Sequence, residues 1–246
     1  MKLIVGKWCF SPRLISSMLA LMFIGLFISL GFWQLDRAEY KRTLYQGFLD
    51  RQTEEEIDLN QIIDNEEDYK SFLWRHFKTT GHFDEDIQIL LDNQVIKGQP
   101  GYFVYTPFQP DNSDVYVLVN RGWVQADSDR SKLPELEKTD SVISINGVLK
   151  ELPKTGLLLQ KTIPEKMAGD IVRVQNIDLS ELEKLLNIKL LPVIFRLEPG
   201  SKHGYVRDWQ PPGSGENMHL GYAFQWFVFA LTLLIIYLIL NIKKIA

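Results

Sequence analysis

Residues 14–35 read LISSMLALMFIGLFISLGFWQL and residues 220–242 read LGYAFQWFVFALTLLIIYLILNI; neither stretch holds an Asp, Glu, Lys or Arg. At a rise of about 1.5 Å per residue, each makes a helix of about 33 Å, enough for a hydrocarbon core of about 30 Å. Lipid offers the backbone no hydrogen-bond partner, so an isolated run of this kind must be helical.

The flanks give the orientation. Lys2, Lys7 and Arg13 precede the first run, and Lys243 and Lys244 follow the second. By the positive-inside rule both termini are expected in the cytoplasm, although Arg37, Lys41 and Arg42 pull mildly the other way. The first run exceeds the apolar length of a signal peptide, and its exit, Gly31-Phe32-Trp33-Gln34-Leu35-Asp36-Arg37, lacks a small-x-small cleavage site. It is therefore expected to remain as an anchor. The expected organisation is a cytoplasmic N-terminus (1–13), a transmembrane helix (14–35), an extracytoplasmic domain (36–219), a second transmembrane helix (220–242) and a cytoplasmic C-terminus (243–246). A bacterial cytoplasmic (inner) membrane, with the domain in the periplasm, is the simplest location.

Five of the 27 Lys and Arg and one of the 31 Asp and Glu lie outside residues 37–218, which leaves 22 against 30 and a net charge of −8 there. Such a domain is a poor partner for nucleic acid or an anionic membrane surface. The single cysteine, Cys9, lies before the first run. It can serve neither an intrachain disulfide nor a nucleophile in the domain.

The first helix is expected to continue past the membrane through residues 36–57, with a second short helix within 58–72. Strand patterns then follow at 74–83, with Gly81 as a bulge or turn, at 86–94, 102–108, 115–120, 141–151, 171–177 and 192–198. Gly98-Gln99-Pro100-Gly101 and Pro110-Asp111-Asn112-Ser113 read as turns. Asp178 with Glu181 three residues later predicts a capped helix running to Leu186. The domain is expected to be α+β and β-rich, with an antiparallel sheet able to close into a barrel.

Hydrolase patterns are poorly supported: there is no G-x-S-x-G, H-E-x-x-H or Walker loop. His76 and His82 share strand parity but lack further identifiable metal ligands. His219 stands one residue before the second run. On a helix Tyr222, Ala223 and Trp226 share its face, and Trp33 and Gln34 end the first run at a similar depth. Two readings stand here: an interfacial histidine in an aromatic belt, the commoner arrangement, or an axial ligand for haem iron. Arg121-Gly122-Trp123 likewise reads either as an interaction surface or as core with Arg121 structurally paired.

Four blocks resemble one family. Gly31-Phe32-Trp33-Gln34-Leu35-Asp36-Arg37 looks like the G-x-W-Q-x-x-R signature of the Surfeit locus protein 1 family, the Shy-type cytochrome oxidase assembly factors. Residues 101–108 (GYFVYTPF) resemble its G-Y-x-V-x-T-P-F strand, residues 117–124 (VLVNRGWV) its V-N-R-G-W-V block, and residues 219–227 (HLGYAFQWF) its H-L-x-Y-A-x-Q-W-F segment. The resemblance implies a non-enzymatic membrane chaperone for cytochrome c oxidase, a haem–copper oxidase of the respiratory chain. Its implied partners are the oxidase's large subunit and other assembly factors. It also implies haem a as cofactor, with His219 as the ligand, and matches Trp33, Gln34, Arg37, Arg121, Gly122, Trp123, Tyr222 and Trp226 without individual roles. A cofactor-free scaffold for an assembly intermediate is the alternative. A two-span sensor is disfavoured because residues 241–246 are too few for an output module, and an enzyme would need a histidine meeting acidic partners in a pocket.

Overall fold

The computed structural model describes residues 3–5, 7–63, 69–84, 86–139, 141–153, 164–167 and 171–244. In chain order, β1 (Leu3–Val5) and β2 (Trp8–Phe10) precede α1 (Leu14–Gln52), then β3 (Ile57–Asp58) and α2 (Asn60–Ile63). A 3₁₀ turn (Tyr69–Phe72) leads to β4 (His76–Phe83), β5 (Gln88–Ile96), β6 (Gln99–Pro110), β7 (Val115–Gln125) and β8 (Ile143–Lys150). There follow β9 (Glu165–Lys166), β10 (Ile171–Val174), α3 (Leu179–Leu186), β11 (Lys189–Leu197), α4 (Glu216–Asn241) and β12 (Ile242–Lys244). Two compact units result, one of residues 1–49 with 210–246 and one of residues 50–209. The helical unit thus takes in residues 36–49, because α1 runs on without a break past the charge-free stretch.

In the helical unit, α1 and α4 are each long and apolar enough to cross a membrane. Their large side chains point outward: Leu14 is 77% exposed, Leu21 70%, Phe224 69% and Leu240 72%. Water would penalise such a surface by about 25 cal/mol for every Å² left uncovered, whereas lipid tolerates it. A core helix of a soluble protein would be buried instead, so these helices mark a membrane protein. Gln34 meets His219, Phe27 stacks on Trp226 and Ser17 meets Tyr237, so the two helices run antiparallel. Gly31 lets them approach: a Cβ there would come within 2.6 Å of the Phe227 ring. At the far end β2 pairs antiparallel with both β1 and β12, so the two termini form a small sheet.

In the second unit five strands close on themselves in the order β4-β8-β11-β7-β6, with β6 returning to β4. The expected barrel-like sheet is present, with two differences. The β11–β7, β5–β10 and β3–β4 pairs are parallel. The turn after β5 is Lys97-Gly98, both at positive φ (51° and 77°), so Gln99 and Pro100 belong to β6. This is the two-residue hairpin whose twist suits the flanking strands. Phe77, Phe83, Phe108, Ile145, Leu149 and Phe195 are among the buried residues of the largest apolar cluster. A second cluster joins Ile89, Tyr105, Leu118 and Ile194 to Leu182 of α3. Asp178 caps α3, accepting from the backbone N–H of Glu181 at 3.3 Å, and Asn187 ends it in the left-handed conformation. The expected helix within 58–72 appears as α2 and the 3₁₀ turn, with residues 64–68 outside the described residues.

Closure depends on Gly81. It lies opposite Pro110 on β6 and Ile143 on β8, where β4 passes from one neighbour to the other. A Cβ at that point would collide with the Gln109 carbonyl. The Gly81→Ala variant is expected to destabilise the domain by about 1–3 kcal/mol, because backbone must give way. Thermal unfolding of the full chain in mild detergent measures this. Gly98→Asn, with open space around it and a left-handed backbone that Asn tolerates, is the matched control and should stay near wild type.

Candidate functional site

His219 occupies the first turn of α4, after Gly215, which caps the helix in a left-handed conformation. Its Nδ1 lies 2.7 Å from Gln34 Oε1. With the amide oxygen towards the ring, Nδ1 carries the proton and donates, which leaves the Nε2 lone pair free. Gln34 is itself buried between the helices, while His219 keeps partial exposure. This is how a ligating imidazole is set up: one nitrogen tied to an orienting acceptor, the other presented to a metal. The donor set therefore fits a single axial bond to haem iron.

The other matched positions in this unit divide. Trp226 stacks on Phe27 (centroids 5.7 Å apart) and meets Phe229 edge-on at 5.9 Å, forming an aromatic group deeper in the helix pair. Trp33 is half-exposed, with the Arg37 guanidinium 5.8 Å from its ring centre. Tyr222 is exposed on α4. Only Gln34 among these makes a hydrogen bond to His219 among the described residues.

Arg121, Gly122 and Trp123 lie within β7 and are buried, Arg121 completely. The interaction-surface reading of this block is therefore corrected: these side chains hold the domain together. Arg121 Nε donates to the His203 carbonyl at 2.8 Å, and a terminal nitrogen donates to the Glu137 carbonyl at 3.1 Å. Its guanidinium also lies 4.7 Å from the Phe83 ring centre and 5.3 Å from that of Tyr205. Trp123 exchanges backbone hydrogen bonds with Val206 and donates its indole N–H to the Gln94 carbonyl at 3.1 Å. Gly122 has φ 121°, and a Cβ there would come within 2.8 Å of the Val206 carbonyl. The block is a clasp that straps residues 203–206 to the sheet.

The remaining histidines do not assemble a metal site: no group of three or more His, Cys, Asp or Glu is placed to hold an ion among the described residues. His76 bridges Glu198 (2.8 Å) and Gln52 (2.7 Å). His82 lines an open depression with Asp84, Asp86 and Tyr116, where burial raises the Asp84 carboxyl above its usual range. That setting does bring a histidine near carboxylates. Yet His82 makes no hydrogen bond to either carboxylate, and the one hydroxyl of a threonine on the lining, that of Thr139, lies against His203 rather than His82. Four further residues, Trp74, Lys150, Arg196 and Trp209, come together on the outside of the barrel. They come from distant parts of the chain, and no local spacing signals them.

Comparison with known proteins bears on most of the chain. The sequence model of the SURF1 family matches residues 21–231. A SURF1-like protein of Rickettsia bellii is 32% identical over 222 residues, covering 86% of this chain and 85% of its own. One from Rickettsia felis is 27% identical over 243 residues, covering 91% and 96%. The cytochrome oxidase assembly protein SHY1 of Saccharomyces cerevisiae is 34% identical over 110 residues, covering 43% of this chain and 28% of the yeast protein. With a match that runs from inside α1, across the barrel, to inside α4, this chain belongs to the SURF1 family.

Proposed function

We propose that this chain assists assembly of cytochrome oxidase from within a bacterial inner membrane, and that it holds haem a, as cargo, through His219. In this reading both termini are cytoplasmic, the barrel domain is periplasmic, and the large oxidase subunit receives the haem. The name of the yeast relative and the family match support the assembly role. Basic residues beside the chain-terminal ends of both helices support the topology. The observation that carries the haem assignment is the 2.7 Å contact between Gln34 and His219 Nδ1, which fixes the tautomer and aims Nε2. Trp33 and Tyr222 offer apolar ring surface for a macrocycle near the same end of the helix pair. Arg37, exposed beside Trp33, is a cation suited to a propionate or a partner's carboxylate.

The test is to express the full chain with a source of haem a and purify it in mild detergent. His219→Ala should lose the bound pigment. Gln34→Leu should keep an imidazole but weaken binding by about 10–100-fold, the usual cost of removing a group that orients a metal ligand. Pigment and absorption spectrum unchanged in His219→Ala would overturn the ligand assignment. Co-purification of the oxidase subunit with a wild-type chain that never binds haem, from native membrane or after loading, would favour the cofactor-free scaffold.

A further inference from the structure

Two cations on the outer face of the barrel have no counter-charge among the described residues. Lys150 ends β8 and Arg196 lies on β11; Lys150 pairs with Ile194 and Arg196 with Val148, so the two are diagonal neighbours on one face. Lys150 Nζ sits 4.7 Å from the Trp74 ring centre. The Arg196 guanidinium lies 5.1 Å from Trp74 and 5.2 Å from Trp209, between the two indoles. Both walls are anchored. Trp74 donates its backbone N–H to the Leu149 carbonyl at 2.8 Å, and the Trp209 indole N–H donates to the Leu197 carbonyl at 2.9 Å.

Arg196 is only 8% exposed, and its Nε is sealed from solvent without a hydrogen-bond partner. Its terminal nitrogens are not sealed in this way. Neither the Arg196 nor the Lys150 side chain makes a hydrogen bond or ion pair with any described residue; Glu198, one residue past the end of β11, is engaged by His76. Ring contacts of this kind attract a cation only modestly. They offset only part of the cost of burying an ion without a counter-charge. The imbalance shows in the titration of both groups. Burial pushes the Lys150 ammonium down to about 8, helped by the adjacent Arg196 charge, and burial pushes Arg196 down to about 10.

We propose that Trp74, Lys150, Arg196 and Trp209 form a binding site for a single carboxylate carried on an apolar stem. The two cations supply charge-assisted donors, Arg196 from its terminal nitrogens and Lys150 from Nζ, and the indoles supply flat apolar walls for the stem. A phosphate-rich surface is the poorer match, because residues 37–218 carry a net charge of −8 and repel polyanions. The site is independent of His219 and does not depend on the haem reading.

Benzoate is the first probe, titrated into the full chain in a neutral detergent at constant ionic strength, with intrinsic tryptophan fluorescence as readout. Saturable binding is expected. Lys150→Gln and Arg196→Gln should each weaken it by about tenfold or more, since each removes a hydrogen bond to a charged group, and Lys150→Arg should retain it. Equal binding by both neutral variants, no saturation by wild type, or tighter binding of inorganic phosphate than of benzoate would overturn the proposal. An N-acetylated glutamate amide that binds more tightly than benzoate would identify a partner protein's side chain as the source; the reverse order would identify a small aromatic acid.

A second measurement needs no variant. The folded Lys150 pKa, about 8, lies below its ordinary value of 10.5, so between those values the unfolded chain holds more protons than the folded one. Stability from this group is therefore expected to rise as pH increases from about 8 to 10.5. A bound carboxylate favours the ammonium and should erase that rise, with net proton uptake on benzoate binding near pH 8.5, read as a calorimetric heat that depends on the buffer's ionisation enthalpy. A rise in stability that benzoate leaves unchanged would count against the site even if the variants failed to fold.

Discussion

Everything in the helical unit follows from the outward-facing apolar side chains of α1 and α4. Two helices whose leucines, isoleucines and phenylalanines are mostly exposed on the isolated chain exist as a pair only where lipid is the solvent. In that solvent each polar side chain must find a partner within the pair. Ser17 meets Tyr237 at 2.6 Å, the Asn241 amide donates to the Tyr237 carbonyl at 2.8 Å, and His219 meets Gln34. The same demand that assembles the helices thus sets the Gln34 amide against Nδ1 of His219.

The barrel solves a different problem, which is how a sheet with few strands avoids unpaired edges. Closure through β4 and β6 removes the edge that a five-stranded sheet would otherwise expose. Tight curvature needs places without side chains, and Gly81 and Gly147 supply them, each where a Cβ would strike a backbone carbonyl of the neighbouring strand. The Arg121-Gly122-Trp123 clasp adds residues 203–206 to the same scaffold. Its sequence conspicuousness reflects a demanding structural task.

Much of this was legible in the residues, and the limit is physical. Charge-free runs, the Asp178 cap and the alternating strands are local signals, and they place α1, α4, α3 and most of β4–β8 within a few residues. The parallel pairing of β11 with β7 is not local, and nothing near either strand encodes it. Pro100 looked like a turn residue because proline removes a donor. It sits instead in a strand, opposite Val95, because Lys97 and Gly98 already make the turn. At the candidate site, depth in the membrane brought Gln34 and His219 to the same level, but only the antiparallel packing of the helices turns that into a hydrogen bond.

Two arginines of the barrel domain show how burial can be read for purpose. Arg121 is fully buried, and its guanidinium reaches two backbone carbonyls and two aromatic rings. Its desolvation is offset inside the protein, so it is structure. Arg196 is almost as buried and touches two rings, yet none of its donors is used by a described residue, and a second cation lies beside it. For hydrogen bonds to a charged group, worth about 1.5–3 kcal/mol each, a fold gains by making them internally wherever an acceptor can be placed. Leaving donors open beside a like charge, between two anchored indoles, forgoes that gain on the domain's own account. The forgone stabilisation becomes available to a ligand that brings the missing negative charge, and this is what separates a site from a scaffold when both are built from the same residue type.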